Sequence, residues 1–179
     1  MAFLEVVTRC YRRPQMLRHN RASLEWQTCC DWTQTMLPDE EGRGIAWAYA
    51  QLATFEPTGA YVWILDDDDL CIDADLVKDL KTIAREFGPD VIMLKMDHGD
   101  GAILPDKFHW ERTPERGYIG ASAFVVSRAT WMAFRHVFAP GRYESDFDFI
   151  SAVYAATEGV YWHNSIASRC QRVSKGLPE

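Results

Sequence analysis

Several features that would assign a protein to a class at once are missing from this sequence. Its five cysteines are odd in number and show no CxxC spacing, which excludes a zinc ribbon and a fully paired disulfide framework and favours a reducing compartment. We find no signal peptide and no apolar run long enough to cross a bilayer, so we expect a cytoplasmic protein, or one of the host cytoplasm if its source is viral. The glycine-rich, phosphate-binding loop that a nucleotidyltransferase or phosphohydrolase would be expected to carry near the first strand is missing. The net charge of -7 argues against a surface that binds nucleic acid throughout.

What is present indicates a globular α/β protein. At 179 residues, with 47% hydrophobic and 13% aromatic side chains, the chain suits one domain, residues 1–179, with a substantial core. Strand-like apolar runs alternate with helical patterns through the first half, which predicts βαβ units and a parallel sheet. The predicted strands are residues 2–8, 33–37, 61–65, 91–96, 119–127, 160–163 and 166–170. The predicted helices are residues 14–28, 44–55, 73–87, 128–138 and 145–158.

The stretch around which the chain is organised is an apolar strand, residues 61–65, that ends in the four carboxylates Asp66–Asp69. Like charges at one place repel, and burying a carboxylate without a partner costs several kcal/mol. Such a cluster is tolerated where a cation neutralises it, and carboxylate oxygens without nearby cysteine or histidine suit a hard ion. Side chains alternate along an extended segment, so Asp66 and Asp68 point the same way. We therefore predict Mn²⁺ or Mg²⁺ at Asp66 and Asp68.

Five short segments follow one another in a recognisable order. They are residues 7–17 (VTRCYRRPQML), 58–69 (TGAYVWILDDDD), 117–124 (GYIGASAF), 143–149 (YESDFDF) and 160–163 (VYWH). In this order they resemble the nucleotide-sugar-dependent glycosyltransferases of GT-A fold, family 2 in particular, and a small soluble bacterial or phage member of it. The chain departs from the family pattern at Arg9, Cys10 and Arg12, which replace Pro, Thr and Asn, and at Ser145, which replaces Glu.

The resemblance implies a GT-A-like, Rossmann-like three-layer sandwich with a mostly parallel central sheet, in which residues 1–96 bind the nucleotide sugar and residues 97–179 bind the acceptor and carry the catalytic base. The implied nucleotide-sugar contacts are Thr8, Arg9, Tyr11, Arg13, Asp39, Asp66 and Asp67. The implied metal site consists of Asp66, Asp68 and His163, and the alternative for His163 is a hydrogen-bonded structural residue. The implied acceptor side contains Gly120, Ala121 and Ser122. Trp110, in the polar loop, is a further candidate there because its ring could stack on a sugar or base.

These roles describe the inverting transfer of a sugar from a nucleoside diphosphate to a hydroxyl group. A divalent cation would stabilise the leaving diphosphate, while Asp146, the implied catalytic base, takes the acceptor proton on the opposite face of the sugar. UDP is favoured as the nucleotide by family frequency alone. The acceptor is a saccharide, a small molecule or a hydroxylated DNA base, with no membrane insertion and with a homodimer left open. Arg169, Arg172 and Lys175 either close over the diphosphate or belong to a solvated tail.

Other interpretations stay open. The acidic pocket would also suit a metal-dependent nucleotidyltransferase or phosphohydrolase, and the departures from the family pattern would suit an inactive nucleotide-sugar-binding module. Asp69 or Asp73 is a candidate cap of the helix that follows the acidic run. Asp146 is a candidate N-cap of its own helix, in which case Asp148 or Glu144 is the alternative base.

Overall fold

The computed structural model describes residues 1–171, and the fold is given for that part of the chain. The strands are β1 (Leu4–Cys10), β2 (Trp32–Pro38), β3 (Tyr61–Ile64), β4 (Asp69–Cys71), β5 (Val91–Asp97), β6 (Ile103–Leu104), β7 (Phe124–Ser127) and β8 (Val160–Cys170). The helices are α1 (Pro14–Glu25), α2 (Ile45–Leu52), α3 (Leu76–Phe87), α4 (Arg128–Phe134) and α5 (Ser145–Ala156). Short 3-10 helices cover Ala121–Ala123 and Arg135–Phe138. Among residues 1–171, none of the helices has both the length and the apolar character needed to span a bilayer.

All the strands of residues 1–171 belong to one sheet, in the order β2-β1-β3-β7-β5-β8-β4, with β6 paired to β5. β1 is parallel to both β2 and β3, and β5 is parallel to β8. β7 is antiparallel to both β3 and β5, while β4 and β6 are antiparallel to β8 and β5. β1, β2, β3, β5 and β8 therefore run in one direction and the other described strands oppose them. The prediction of a mostly parallel, GT-A-like sheet is confirmed.

Helices cover both faces of the sheet because its central strands are apolar on both sides. Val7 and Ile64 contribute to one core cluster, whereas Leu4 and Trp63 contribute to the other, as the alternation of side chains along a strand requires. The first cluster includes side chains of α2, α4 and α5, and the second includes side chains of α1 and α3. The predicted three-layer sandwich is thus confirmed, and the carboxyl ends of β1, β2 and β3 meet at one edge of it.

Three parts of the sheet differ from the pattern-based prediction. The predicted strand 119–127 is extended only from Phe124 to Ser127, because residues 121–123 form a 3-10 helix. The segments 160–163 and 166–170 form one strand, β8, whose register against β5 is irregular. The short strands β4 and β6 were not predicted, because 3 and 2 residues cannot display an alternating pattern.

The first turn of α3 also corrects a prediction. Asp75 occupies the N-cap position, and its side chain makes no capping hydrogen bond. Asp69 lies in β4, and the carboxylate of Asp73 accepts the N–H of Asp75 at 3.0 Å. The hypothesis that Asp69 caps this helix is therefore wrong, and another reason is needed for its carboxylate. Asp73, in contrast, binds the backbone of the turn that opens α3.

Two glycines share a left-handed backbone but differ in their surroundings. Gly141, in the loop ahead of α5, has a φ of +58, and a Cβ there would lie 2.3 Å from the carbonyl oxygen of Ala46 in α2. Gly88 ends α3 with a φ of +55, and the nearest atom to its Cβ would be the carbonyl oxygen of Ala84, at 3.8 Å. Only the glycine ahead of α5 is thus required by a close backbone approach as well as by its conformation.

We expect Gly88→Ala to lower the free energy of unfolding by about 1–2 kcal/mol, the cost of placing alanine in a left-handed conformation. Gly141→Ala should lower it by about 3 kcal/mol or more, because the clash with α2 adds to the same backbone cost. Urea unfolding of the two variants measures the difference. Equal losses would show that the loop ahead of α5 is not held against α2.

Candidate functional site

The parallel pairing of β1 with β3 brings an arginine against the first aspartate of the acidic run. Val7 pairs with Ile64, so Arg9 and Asp66 lie opposite each other two residues later, and the N–H of Asp67 donates to the carbonyl of Arg9 at 3.2 Å. Arg9 Nε donates to Asp66 Oδ1 at 2.7 Å, and Nη2 donates to Oδ2. This bidentate pair is largely shielded from water, with 9% of the Arg9 side chain and 21% of the Asp66 side chain exposed.

A second arginine binds the next two aspartates. Arg13, the N-cap residue of α1, donates from Nη2 to Asp67 Oδ1 and from Nη1 to Asp68 Oδ2, each at 2.5 Å. The backbone N–H of Tyr11 donates to the other oxygen of Asp67 at 2.7 Å. Burial raises the pKa of Asp67 to about 6, although the Tyr11 N–H and Arg13 oppose that rise. Two guanidinium groups therefore supply the cationic partner that the acidic run requires.

Asp69 turns away from the arginines and into the sheet. It is 6% exposed, and the thiol of Cys170 in β8 donates to its Oδ1 at 3.0 Å. Burial raises the pKa of Asp69 to about 7, and the charges of Asp66 and Asp68 act in the same direction. Near neutral pH this side chain is therefore a partly protonated acid in a polar contact with a thiol.

Asp146 is brought to the same place from a distant part of the sequence. Burial raises the pKa of Asp146, the charge of Arg9 lowers it, and the charge of Asp66 raises it, so these groups lie within electrostatic reach of one another. A hydrogen bond with the side chain of Tyr49, in α2, lowers the pKa of Asp146. The ring centroid of Tyr49 lies 4.0 Å from the guanidinium carbon of Arg9. Asp146 thus lies with Arg9, Asp66 and Tyr49 on one face of the sheet.

The neighbours of Asp146 at the N-terminus of α5 are engaged in ion pairs. Glu144, with a φ of +68, is the N-cap residue, so Asp146 lies inside the helix and the N-cap hypothesis for it is wrong. Arg116 forms ion pairs with both Glu144 and Asp148, and Arg142 Nε donates to Asp148 Oδ2 at 2.8 Å. The two alternative bases are therefore held in ion pairs at the protein surface.

Two further side chains of the predicted nucleotide-binding set, Asp39 and Thr8, also have intramolecular partners. Asp39 is buried, and its carboxylate accepts the backbone N–H groups of Arg43 at 2.8 Å and Gly44 at 2.6 Å. Thr8 is fully buried, and its hydroxyl accepts a hydrogen bond from Gln34 at 2.8 Å. Asp39 therefore shapes the loop that leads into α2, and Thr8 is not accessible to a ligand. Tyr11 contributes its backbone N–H rather than its ring to the acidic run.

The predicted acceptor-side residues are mostly packed inside the fold. Ser122 is fully buried and accepts a hydrogen bond from Ser168 at 2.8 Å, while Ala121 is 9% exposed. Gly120 is in close contact with Met96, whose sulfur would lie 2.6 Å from a Cβ at that position. An acceptor-lining role for the Ser122 side chain is therefore corrected to a structural one, because a buried hydroxyl cannot reach an acceptor.

His163 and Trp110 lie in other contacts. His163 Nε2 is 3.7 Å from Asp79 Oδ2, and with Asp73 they form the one group of three metal-capable side chains found within residues 1–171. His163 is therefore not a ligand beside Asp66 and Asp68, which corrects that prediction. Trp110 packs edge to face on Trp162, with ring centroids 4.9 Å apart. Lys95 Nζ lies 4.5 Å from the centroid of the Trp110 ring.

Of the three basic residues predicted to close over the diphosphate, only Arg169 lies within residues 1–171. Arg169 Nε donates to Asp97 Oδ2 at 2.7 Å. Arg172 and Lys175 lie outside residues 1–171. The structure thus gives Arg169 an ion-pair partner at the end of β5.

Sequence reasoning missed two groups that hold the acidic turn. Asn20 of α1 is fully buried, and its amide donates to the carbonyl oxygens of Asp66 at 2.8 Å and Asp69 at 2.9 Å. The backbone N–H of Gln171 donates to the carbonyl of Asp68 at 2.6 Å. A polar residue on the apolar face of α1 was the available signal for Asn20, and the sequence held none for Gln171.

The raised pKa of Asp69 predicts a pH-dependent stability. An unfolded aspartate titrates near about 3.9, so between about pH 4 and pH 7 the folded chain holds a proton that the unfolded chain has lost. Stability should therefore fall as the pH rises through that window. Asp69→Asn cannot lose a proton and should make the fall in Tm clearly smaller, whereas Glu25→Gln, an exposed control, should follow the wild type. An Asp69→Asn slope equal to that of the wild type would contradict the assignment.

Neither a protein-family model nor a curated protein sequence matches the chain. The fold is similar to residues 1–349 of S. aureus TarS, a GT-A-type glycosyltransferase, with a TM-score of 0.74 at 14% identity over 95% of this chain and 60% of that one. TarS in complex with UDP-GlcNAc gives a TM-score of 0.67 at 14% identity, over 97% and 59%. A putative glucose-1-phosphate thymidylyltransferase from Bacillus anthracis gives 0.54 at 11% identity, over 90% and 86%.

These likenesses establish the fold. The chain spans about 60% of the length of the TarS structure that it matches, and the sheet with helices on both faces is common to them. In such open α/β sheets, ligands bind in the crevice at the carboxyl ends of the strands. Arg9, Asp66 and Asp68 lie at that edge, which makes it the candidate ligand site of this chain.

Proposed function

We propose that this chain is a nucleotide-sugar-dependent glycosyltransferase, with a UDP-sugar favoured as the donor. The observation that carries the proposal is the convergence of Asp146, from the second half of the chain, with Arg9 and Asp66 at the carboxyl ends of β1 and β3. The likeness to TarS, which was solved with UDP-GlcNAc, supports the same assignment. In this proposal residues 1–96 contribute the donor side, and residues 97–179 contribute the base.

The proposed reaction has a simple atom balance. The acceptor oxygen forms a bond to the anomeric carbon, the bond from that carbon to the diphosphate oxygen breaks, and the electron pair leaves with the nucleoside diphosphate. The acceptor proton passes to Asp146, whose pKa is raised by burial, and a raised pKa suits a general base working near neutral pH. Attack from the face opposite the diphosphate would invert the anomeric configuration.

Mn²⁺ or Mg²⁺ at Asp66 and Asp68 stays a prediction, and the site as arranged does not fit it. Both oxygens of Asp66 are bound by Arg9, and one oxygen of Asp68 is bound by Arg13. A cation could bind Asp66 only by displacing Arg9, which would break a bidentate ion pair that is largely shielded from water. The proposed reaction therefore has no step that depends on a metal ion.

The proposed acceptor is a hydroxyl of a saccharide, a small molecule or a hydroxylated DNA base, met by a cytoplasmic enzyme. A second candidate is a nucleotidyltransferase, because the Bacillus anthracis thymidylyltransferase structure has a related fold. The glycosyltransferase is favoured because the TarS likeness is closer, with a TM-score of 0.74 against 0.54, and because the carboxylate of Asp146, the proposed base, lies near the strand end.

The test uses matched variants of two aspartates in the same helical turn. Wild-type protein is incubated with UDP-GlcNAc, other nucleotide sugars and a panel of hydroxyl acceptors, and free nucleotide is measured. Asp146→Asn should slow nucleotide release by about 10²–10⁴-fold, since it removes the base, and should leave the binding of UDP unchanged. Asp148→Asn, which loses only surface ion pairs with Arg116 and Arg142, should stay close to wild type.

Three outcomes would contradict the proposal. Equal activity of Asp146→Asn and wild type would remove Asp146 as the base. Release of pyrophosphate from a nucleoside triphosphate and a sugar phosphate, without transfer from nucleotide sugars, would establish the nucleotidyltransferase instead. Binding of nucleotide sugars with no turnover on any acceptor would favour an inactive binding module.

A further inference from the structure

Arg9, which stands where the glycosyltransferases that the sequence resembles carry proline, places a buried positive charge at the end of β1. Arg9 contacts Asp66 through two of its three nitrogens, lies against the ring of Tyr49 and has Asp146 within electrostatic reach. Its guanidinium group therefore lies between the acidic strand end and the proposed base. That is the region in which a diphosphate leaving group and its sugar must lie if the proposed function is correct.

Each of the two arginines at the strand end has one donor nitrogen without a hydrogen-bond partner among the described residues. Among residues 1–171, the buried nitrogens Arg9 Nη1 and Arg13 Nε have no hydrogen-bond partner. The two side chains are 9% and 7% exposed, so these donors are shielded from water as well. A buried donor without a partner carries a desolvation cost that an anionic oxygen would remove. Guanidinium groups are well suited to this, because their planar donors match the oxygens of phosphate.

The negative charge of Asp66, Asp67 and Asp68 is already largely compensated by the chain itself. Asp66, Asp67 and Asp68 bring three negative charges, and Arg9 and Arg13 bring two permanent positive ones. A divalent cation would neutralise these carboxylates and present positive charge to a diphosphate. Arg9 and Arg13 are already in position to do both. To bind at Asp66, an ion would have to displace a buried bidentate ion pair, which is costly.

We propose that Arg9, assisted by Arg13, replaces the divalent cation at the donor site, so that the protein binds a nucleoside diphosphate without a metal ion. The inference rests on the proposed function and names the group that stabilises its leaving diphosphate. The N–H donors of Arg9 would contact phosphate oxygens as the bond to the sugar breaks and negative charge grows on them. Asp66 holds the guanidinium in place for that contact.

The experiment is isothermal titration calorimetry of UDP, with GDP and TDP in parallel, into the full-length protein in EDTA and again in Mn²⁺. Wild type should bind one of these nucleotides with dissociation constants that agree within about threefold in the two buffers, since a tenfold change would already mean about 1.4 kcal/mol from the metal. Arg9→Met should bind at least about tenfold more weakly in EDTA. Mn²⁺ should restore much of that loss, because the variant releases the carboxylate of Asp66.

The control is Arg18→Met, which removes the same charge from an exposed position on α1 and should match wild type in both buffers. Wild-type binding that requires Mn²⁺ would overturn the inference and leave the proposed function standing. No binding of any nucleoside diphosphate in either buffer would overturn the proposed function, and the inference with it. The wild-type comparison decides the matter even if Arg9→Met does not fold, and metal rescue of that variant is a result that simple destabilisation would not give.

Discussion

Mutual repulsion among the four carboxylates that follow β3 is the constraint on which the rest of the site depends. The fold relieves it with Arg9 on Asp66 and with Arg13 on the two aspartates that follow. Asp69 is relieved differently, because its burial favours the protonated form beside Cys170. Each solution is non-local, since the partners come from β1, from the start of α1 and from the end of β8.

The backbone of the acidic turn is fixed as firmly as its side chains. The buried amide of Asn20 bridges the carbonyl oxygens at both ends of the turn, and Gln171 binds the carbonyl between them. Pairing of β4 with β8 then closes the sheet edge beside it. The turn is therefore held by hydrogen bonds from α1 and from the chain beyond β8, in addition to its own bond from the Asp69 N–H to the Asp66 carbonyl at 2.9 Å.

The chemistry proposed for this protein depends on an equally remote contact. Asp146 reaches the strand end because α5 packs on the same face of the sheet as α2, through side chains such as Phe149 and Tyr49. The left-handed conformation of Glu144 at the start of that helix is uncommon for a residue with a side chain, and such positions occur often at functional sites. Asp146, the proposed base, and the acidic strand end thus come together through the packing of a whole layer.

The sequence by itself determined the class of the fold, the order of its five helices and of its longer strands, and the acidic run after β3, because alternation and helical periodicity are local properties of the chain. It also identified Asp146 as a candidate through a short motif. Only the tertiary structure decided that arginines neutralise Asp66 and Asp68, that His163 lies beside Asp79, and that Ser122 and Thr8 are buried. A side chain's partner depends on the register of strands and the packing of layers, and those long-range contacts leave no periodic signal in the sequence.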